Sequence, residues 1–385
     1  MSQKTAFLPP DAPAKGLLAE LYSNGSEEMI ALRDNGFVIL KADKNKSSSL
    51  IAQFQSALVS RGFSGRVDRN TDTAKAFPST FWGIDPVILP FTEVAMDARI
   101  LIRNTLASHL KISPKSLLSS FDGVMITRSG YSTKPYFDPS RPRVPMNEKD
   151  GKAVGPGHID QHPTRASTAD SHQCFLCLCD AGPTTMSTIL LTPIEPYTLQ
   201  GMYDYMKYHF PQHFDTPTNG NGTAAPKQTQ EGFVLHPEVQ ENLIQNGIAK
   251  AIKPNLTVGD ILIWSSAIPH IGGAVKPARK EKNNPRLGVI AGFFPSDLVS
   301  EVAKKKRRKI VGGLRATGQQ VHLPHAHMAW PTASRYWRRE DWPPEYIKVK
   351  DERKRLRDAN TYFFDEDPSS DADCEYKRKV RELLG

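Results

Sequence analysis

Cysteine is scarce, with four among 385 residues. Three of them, Cys174, Cys177 and Cys179, crowd one predicted strand, and neighbours along a single strand meet the geometry of a disulfide poorly. Reduced thiols buried as small hydrophobes are therefore expected. A Cys-x-x-Cys redox pair is the alternative, and no second pair exists to complete a four-ligand zinc set. Also missing is any apolar run near the roughly 18–20 residues that span a bilayer, so no membrane association is expected. No basic-then-apolar leader opens the chain, which makes an intracellular protein, cytoplasmic or nuclear, the expectation. No internal repeat is visible. What remains is 39% hydrophobic and 24% charged, enough apolar material for one large or two small domains.

Acidic residues are in deficit, 41 against 50 basic, for a net charge of +9. The imbalance is local. Between Lys304 and Arg357, 16 Lys and Arg meet 5 Asp and Glu, a surplus of 11 that leaves the rest of the chain close to neutral. Such a segment can face a phosphate backbone or another acidic partner. Its core, Lys304-Lys305-Lys306-Arg307-Arg308-Lys309, also fits a nuclear-localisation patch. A solvated helix face has the same composition.

Along the chain, residues 1–25 read as an arm over the surface. Glu27 to Asp34 reads as a helix stopped by Gly36, and Phe37 to Leu40 as a strand. Ser47 to Ser60 carries Leu50, Ile51, Phe54 and Leu58 at helical spacing, with a serine-rich start suited to capping. Glu93 to Leu110 is the strongest helix in the N-terminal third. Strands are predicted over Phe121 to Thr127, Gln173 to Leu178, Met186 to Leu191, Gly259 to Trp264 and Leu287 to Phe294. Helices are predicted over Tyr197 to Phe210 and within Pro237 to Ala251. Residues 131–157 have no period and read as a substrate-facing loop. Short strands with turn signals and helices gathered at the N-terminal side give a mainly β, α+β fold. The expected core is a double-stranded β-helix (jelly roll, cupin-like) with an N-terminal helical buttress.

The organising stretch is Gly155-Pro156-Gly157-His158-Ile159-Asp160-Gln161-His162-Pro163. Residues i and i+2 of a strand share a face, so His158 and Asp160 can reach one metal together. A second segment, Val258 to His270, runs from a turn through an apolar strand to a distal histidine. After a polar stretch, Pro285-Arg286-Leu287-Gly288-Val289-Ile290 opens another apolar strand with an arginine. Two histidines and one carboxylate with positions left open form the ligand set of non-haem Fe(II) oxygenases. His162 fits a ligand equally well if the H-x-D is misread, and is otherwise a neighbour of the site. His322, His325 and His327 look like a second cluster, but few carboxylates and no cysteine accompany them, and they read as surface or packing histidines.

At this point the chain resembles the Fe(II)/2-oxoglutarate-dependent dioxygenases, and within them the phytanoyl-CoA dioxygenase-like branch. The resemblance covers roughly residues 26–295. It includes the helix, turn and strand from Met29 to Leu40 and the strand, turn and strand from Cys174 to Pro193. It implies His158, Asp160 and His270 as iron ligands and Arg286 as the cation that pairs with the distal carboxylate of 2-oxoglutarate. Tyr131 and Lys134, close to the motif in sequence, are further candidates for contact with the cosubstrate. Arg279 is an alternative anchor, but it falls in a loop rather than on a strand. The implied reaction uses O2 and 2-oxoglutarate, releases succinate and converts a substrate C–H bond to an alcohol.

The implied layout is an arm over 1–25, an oxygenase domain over 26–298 with insertions at 131–157 and 197–250, and a basic extension over 299–385. A small-molecule substrate is favoured; halogenation is another outcome within the resemblance. Two other readings stand beside it. One is a non-catalytic jelly-roll binding or structural protein. The other is an oxygenase acting on nucleic acid or a nucleic-acid-associated protein through segment 304–357, where Trp330, Tyr336, Trp337 and Trp342 suit base stacking.

Overall fold

The computed structural model describes residues 13–59, 93–121, 124–127, 158–161, 169–181, 187–214, 233–273, 286–312, 355 and 371–384. Tyr131, Lys134, His162, Arg279, the loop 131–157 and the His322, His325 and His327 group lie outside these residues.

Residues 13–25 are more than a surface arm. Helix α1 (Ala19–Ser23) follows Leu18, and both Leu18 and Tyr22 are buried in the main core. Leu18 N–H donates to the Ala169 carbonyl, and Ala169 N–H returns a bond to Lys15. Helix α2 (Glu27–Asn35) begins after Ser26 in extended conformation, with Glu27 and Glu28 set favourably against the helix dipole. It ends at Gly36, whose φ of 81° closes the helix by returning its N–H to the Leu32 carbonyl. Strand β1 (Phe37–Lys41) follows at once. Helix α3 (Lys44–Val59) starts before the serines, not at them. Asp43 caps it instead, its carboxylate accepting from Lys46 N–H at 3.0 Å. Helix α4 (Glu93–Leu110) buries Val94, Leu101, Ile102 and Leu106 along its inner face.

The strands are β2 (Leu117–Ser119), β3 (Val124–Thr127), β4 (His158–Ile159), β5 (His172–Cys177), β6 (Ser187–Pro193), β7 (Phe233–Val234), β8 (Ala249–Ile252), β9 (Asp260–Ser265), β10 (His270–Gly273), β11 (Arg286–Ala291) and β12 (Phe293–Pro295). They form a five-stranded sheet ordered β1-β9-β5-β11-β3, a second ordered β7-β4-β10-β6-β8, and a small β12-β2 pair. Every ladder is antiparallel. The remaining helices are α5 (Leu199–His209), α6 (Pro211–Phe214), α7 (Pro237–Gln245), α8 (Glu301–Gly312) and α9 (Asp371–Leu384).

Strand alternation divides the core into two layers. Cys174, Leu176, Ile261, Ile263, Val289 and Ala291 from the first sheet pack against α4 and the N-terminal helices. Their neighbours Phe175, Cys177, Leu262, Trp264 and Ile290 face the other way and join Ile159 and Leu190 of the second sheet with residues of α5 and α7. A strand covered on both faces reads as a continuous apolar run, and β5 and β9 are buried at every position. A third small cluster joins Met96 and Phe121 to Val311 of α8 and Val380, Leu383 and Leu384 of α9. Cys174 and Cys177 lie on β5 and Cys179 just past it, and Cys177 Sγ donates to the Cys179 carbonyl at 2.8 Å. Among the described residues no helix is long and apolar enough to cross a membrane.

Candidate metal centre

The site is built on two short strands of the second sheet. His158 of β4 lies directly opposite His270 of β10 in antiparallel register. Side chains opposite each other in such a pair share a face and stand close together. The two imidazole centroids are 4.3 Å apart. Asp160 follows β4 and is fixed by its N–H bond to the Ser266 carbonyl, at 3.0 Å. The approach to β10 is equally constrained. Ala267 N–H donates to Ser265 Oγ at 3.1 Å, Ile268 N–H to the Ser265 carbonyl at 3.1 Å, and Leu191 N–H to the Pro269 carbonyl at 2.9 Å.

The ligand atoms converge. His158 Nε2 stands 3.3 Å from Asp160 Oδ1, and His270 Nε2 stands 3.2 Å from Oδ2. One donor atom from each of the three residues falls within 4.8 Å of the others. Two ligands about 2.1 Å from one ion and at right angles lie about 3.0 Å apart, so the spacing suits a single cation. His270 is buried, while His158 and Asp160 keep partial exposure, with 30% and 23% of their side chains accessible.

The hydrogen bonding also suits a metal. His270 Nδ1 bonds the Ile268 carbonyl at 3.0 Å. A carbonyl only accepts, so Nδ1 carries the proton and, in a neutral ring, Nε2 presents its lone pair towards Asp160. A lone pair facing a carboxylate oxygen at 3.2 Å is repulsive unless a proton or a cation lies between them. Burial works to raise the Asp160 pKa, but the positive charge that His270 and His158 carry when protonated, with a bond from Gln173, outweighs it and holds the carboxyl well below the usual carboxylate range.

Residues not anticipated from the sequence complete the surroundings. Gln173 of β5, 1% exposed, donates from Nε2 to Asp160 Oδ2 at 2.5 Å. Trp264 of β9 is paired in register with Gln173 and meets the His270 ring edge-on at 5.6 Å between centroids. Gln161, next to the aspartate in sequence, is buried and lowers the Tyr203 hydroxyl's pKa against the larger upward push of burial. Only strand parity could have marked Gln173 and Trp264, since both share the face of Phe175 and Leu262. Arg286 opens β11, its backbone opposite Thr127 of β3.

No protein-family model matches the chain. A sequence search among characterised proteins finds no match. Among solved structures, the chain is similar to the epimerase SnoN in complex with Fe3+, alpha ketoglutarate and nogalamycin RO. The identity is 13%, with 72% of this chain and 83% of that one covered, at a TM-score of 0.38. It is also similar to HygX from Streptomyces hygroscopicus with nickel and 2-oxoglutarate bound, at 13% identity, 70% and 86% coverage and a TM-score of 0.35. The nickel complex of the non-heme monooxygenase ThoJ gives 13% identity, 72% and 79% coverage and a TM-score of 0.33.

Proposed function

We propose that this protein is an Fe(II)- and 2-oxoglutarate-dependent oxygenase that hydroxylates a C–H bond of a small molecule. We also propose that its two sheets form the jelly roll of the phytanoyl-CoA dioxygenase-like branch. The observation that carries the reading is the meeting of His158, Asp160 and His270 around one point, the two histidines on facing strands. Two neutral imidazoles and one carboxylate suit Fe(II) and leave coordination positions free. When bound, the iron would supply the activation of O2 that is coupled to decarboxylation of 2-oxoglutarate.

The chain's own residues have separate tasks in this scheme. The Ile268 carbonyl fixes the His270 tautomer, and the paired register of β4 and β10 fixes the spacing of the two rings. Trp264, buried against His270, keeps water from that side of the centre. Arg286 takes the distal carboxylate of 2-oxoglutarate, because an anion leaving water needs a permanent, two-pronged donor. Its position shares the strand parity of Gly288 and Ile290, the latter in the layer between the sheets. Lys134 and Tyr131 are proposed as additional cosubstrate contacts, and the protein as intracellular with residues 299–385 as an extension of the oxygenase domain.

The test is anaerobic. Fe(II) with 2-oxoglutarate should give a weak visible charge-transfer band, and Arg286→Leu should weaken 2-oxoglutarate binding while Fe(II) still binds. Succinate release on screening candidate substrates then identifies the class oxidised. A chain that binds neither Fe(II) nor 2-oxoglutarate overturns the proposal.

A further inference from the structure

We propose that Gln173 is a positioning residue that holds Asp160 for ligation through one oxygen only and keeps a coordination position open. This rests on the iron-centre reading above. Gln173 sits within an otherwise mostly apolar strand of the first sheet, where an amide is costly unless its hydrogen bonds are met. Its partner belongs to the other sheet. Asp160 follows β4, so the 2.5 Å bond from Gln173 Nε2 to Oδ2 crosses the core layer between the two sheets.

The direction of that bond matters. Oδ2 takes the amide and also faces His270 Nε2 at 3.2 Å, whereas Oδ1, beside His158, is the oxygen the amide does not hold. A carboxylate free to turn can give both oxygens to a cation and fill a position that a chelating cosubstrate needs. The amide removes that freedom. The Asp160 N–H bond to Ser266 fixes the backbone end of the same residue, so the carboxylate is held from both sides. Trp264, in register with Gln173, occupies the neighbouring strand on the same face and limits the glutamine's alternatives.

The experiment compares full-length protein with Gln173→Met, which keeps length and removes the donor, and with Gln173→Asn, whose amide falls short of Asp160. Three quantities are measured: Mn(II) affinity by titration, the anaerobic Fe(II)–2-oxoglutarate charge-transfer band, and the melting temperature of metal-free protein. Expected for both variants is an about 10- to 100-fold loss of Mn(II) affinity, the range for residues that support a ligand. The band should shift or weaken while the metal-free melting temperature is no lower in Gln173→Met. Wild-type affinity and band in either folded variant overturn this role for Gln173 and leave the iron reading standing. A melting temperature that drops while affinity holds would make Gln173 merely structural. Failure of the wild-type protein to bind Mn(II) or Fe(II) removes the iron reading itself. If Gln173→Met does not fold, Gln173→Asn decides the matter alone.

Discussion

Asp160 is the side chain on which the proposed chemistry turns, because both histidines point their Nε2 atoms at it. Asp160→Asn keeps the shape and removes the charge, so Mn(II) affinity should fall by more than the about 100-fold expected for a supporting residue. Calorimetric titration checks this, and an affinity within tenfold of wild type would show that another residue takes the ion. A second residue-scale constraint lies at Gly288. A Cβ there would stand 2.2 Å from Phe175 Cζ and 2.5 Å from the Leu176 carbonyl oxygen. Gly288→Ala should therefore destabilise the fold by about 1–3 kcal/mol or more, as overpacking does. Urea denaturation reads the loss. Adding Phe175→Leu should restore only part of it, because the Leu176 carbonyl is backbone and cannot step aside.

At the scale of elements, α8 shows how burial can turn a charge run to packing. Its run of basic residues reads from sequence as a solvated face or a localisation patch, yet Arg307 is fully buried. Its Nη2 donates to the Ser119 carbonyl, while Nε and Nη1 have no hydrogen-bond partner among the described residues. Burial pulls its pKa down to about 9. A buried, poorly paired charge is often replaced by an apolar side chain of similar volume without loss, or with a gain of about 1–4 kcal/mol. Arg307→Met should be neutral or stabilising in chemical denaturation, and Arg307→Ala should cost about 2–4 kcal/mol through the cavity it leaves. A large loss in Arg307→Met would reveal a partner for the guanidinium. Elements differ in the same way in how plainly the sequence announced them. The full span of α4 follows from its helical apolar spacing, and the end of α2 from Gly36. Strands β4 and β7 have two residues each, too few to carry a period. The start of α3 falls before the serines because Asp43 competes with them as cap. The histidines and aspartate of the centre were legible because a linear H-x-D and a distal histidine retain their order in the fold. Gln173 was not, because its role exists only across two sheets.

At the scale of the whole molecule, the N-terminal segment is tied to the first sheet by Tyr22 and His172, whose hydroxyl and Nδ1 are 2.6 Å apart. The link spans 150 residues of sequence. Burial, the largest influence, raises the Tyr22 pKa well above its ordinary value, so the hydroxyl keeps its proton and donates it to a neutral His172. His172 Nε2 is buried without a partner among the described residues, and burial pulls this histidine's pKa down to about 4. An unfolded histidine titrates near about 6.5, so between these values the unfolded chain binds a proton that the native one refuses. Native stability from this group is therefore complete above about pH 6.5 and falls as pH drops towards 4, by about 3 kcal/mol at most. His172→Gln can still accept from Tyr22 but cannot titrate. Its stability, followed by denaturant melts from pH 7 to pH 4, should decline less steeply than wild type, with the difference growing through that window and levelling off below it. Parallel curves would place the acid sensitivity of the fold elsewhere and leave the Tyr22–His172 link as packing alone.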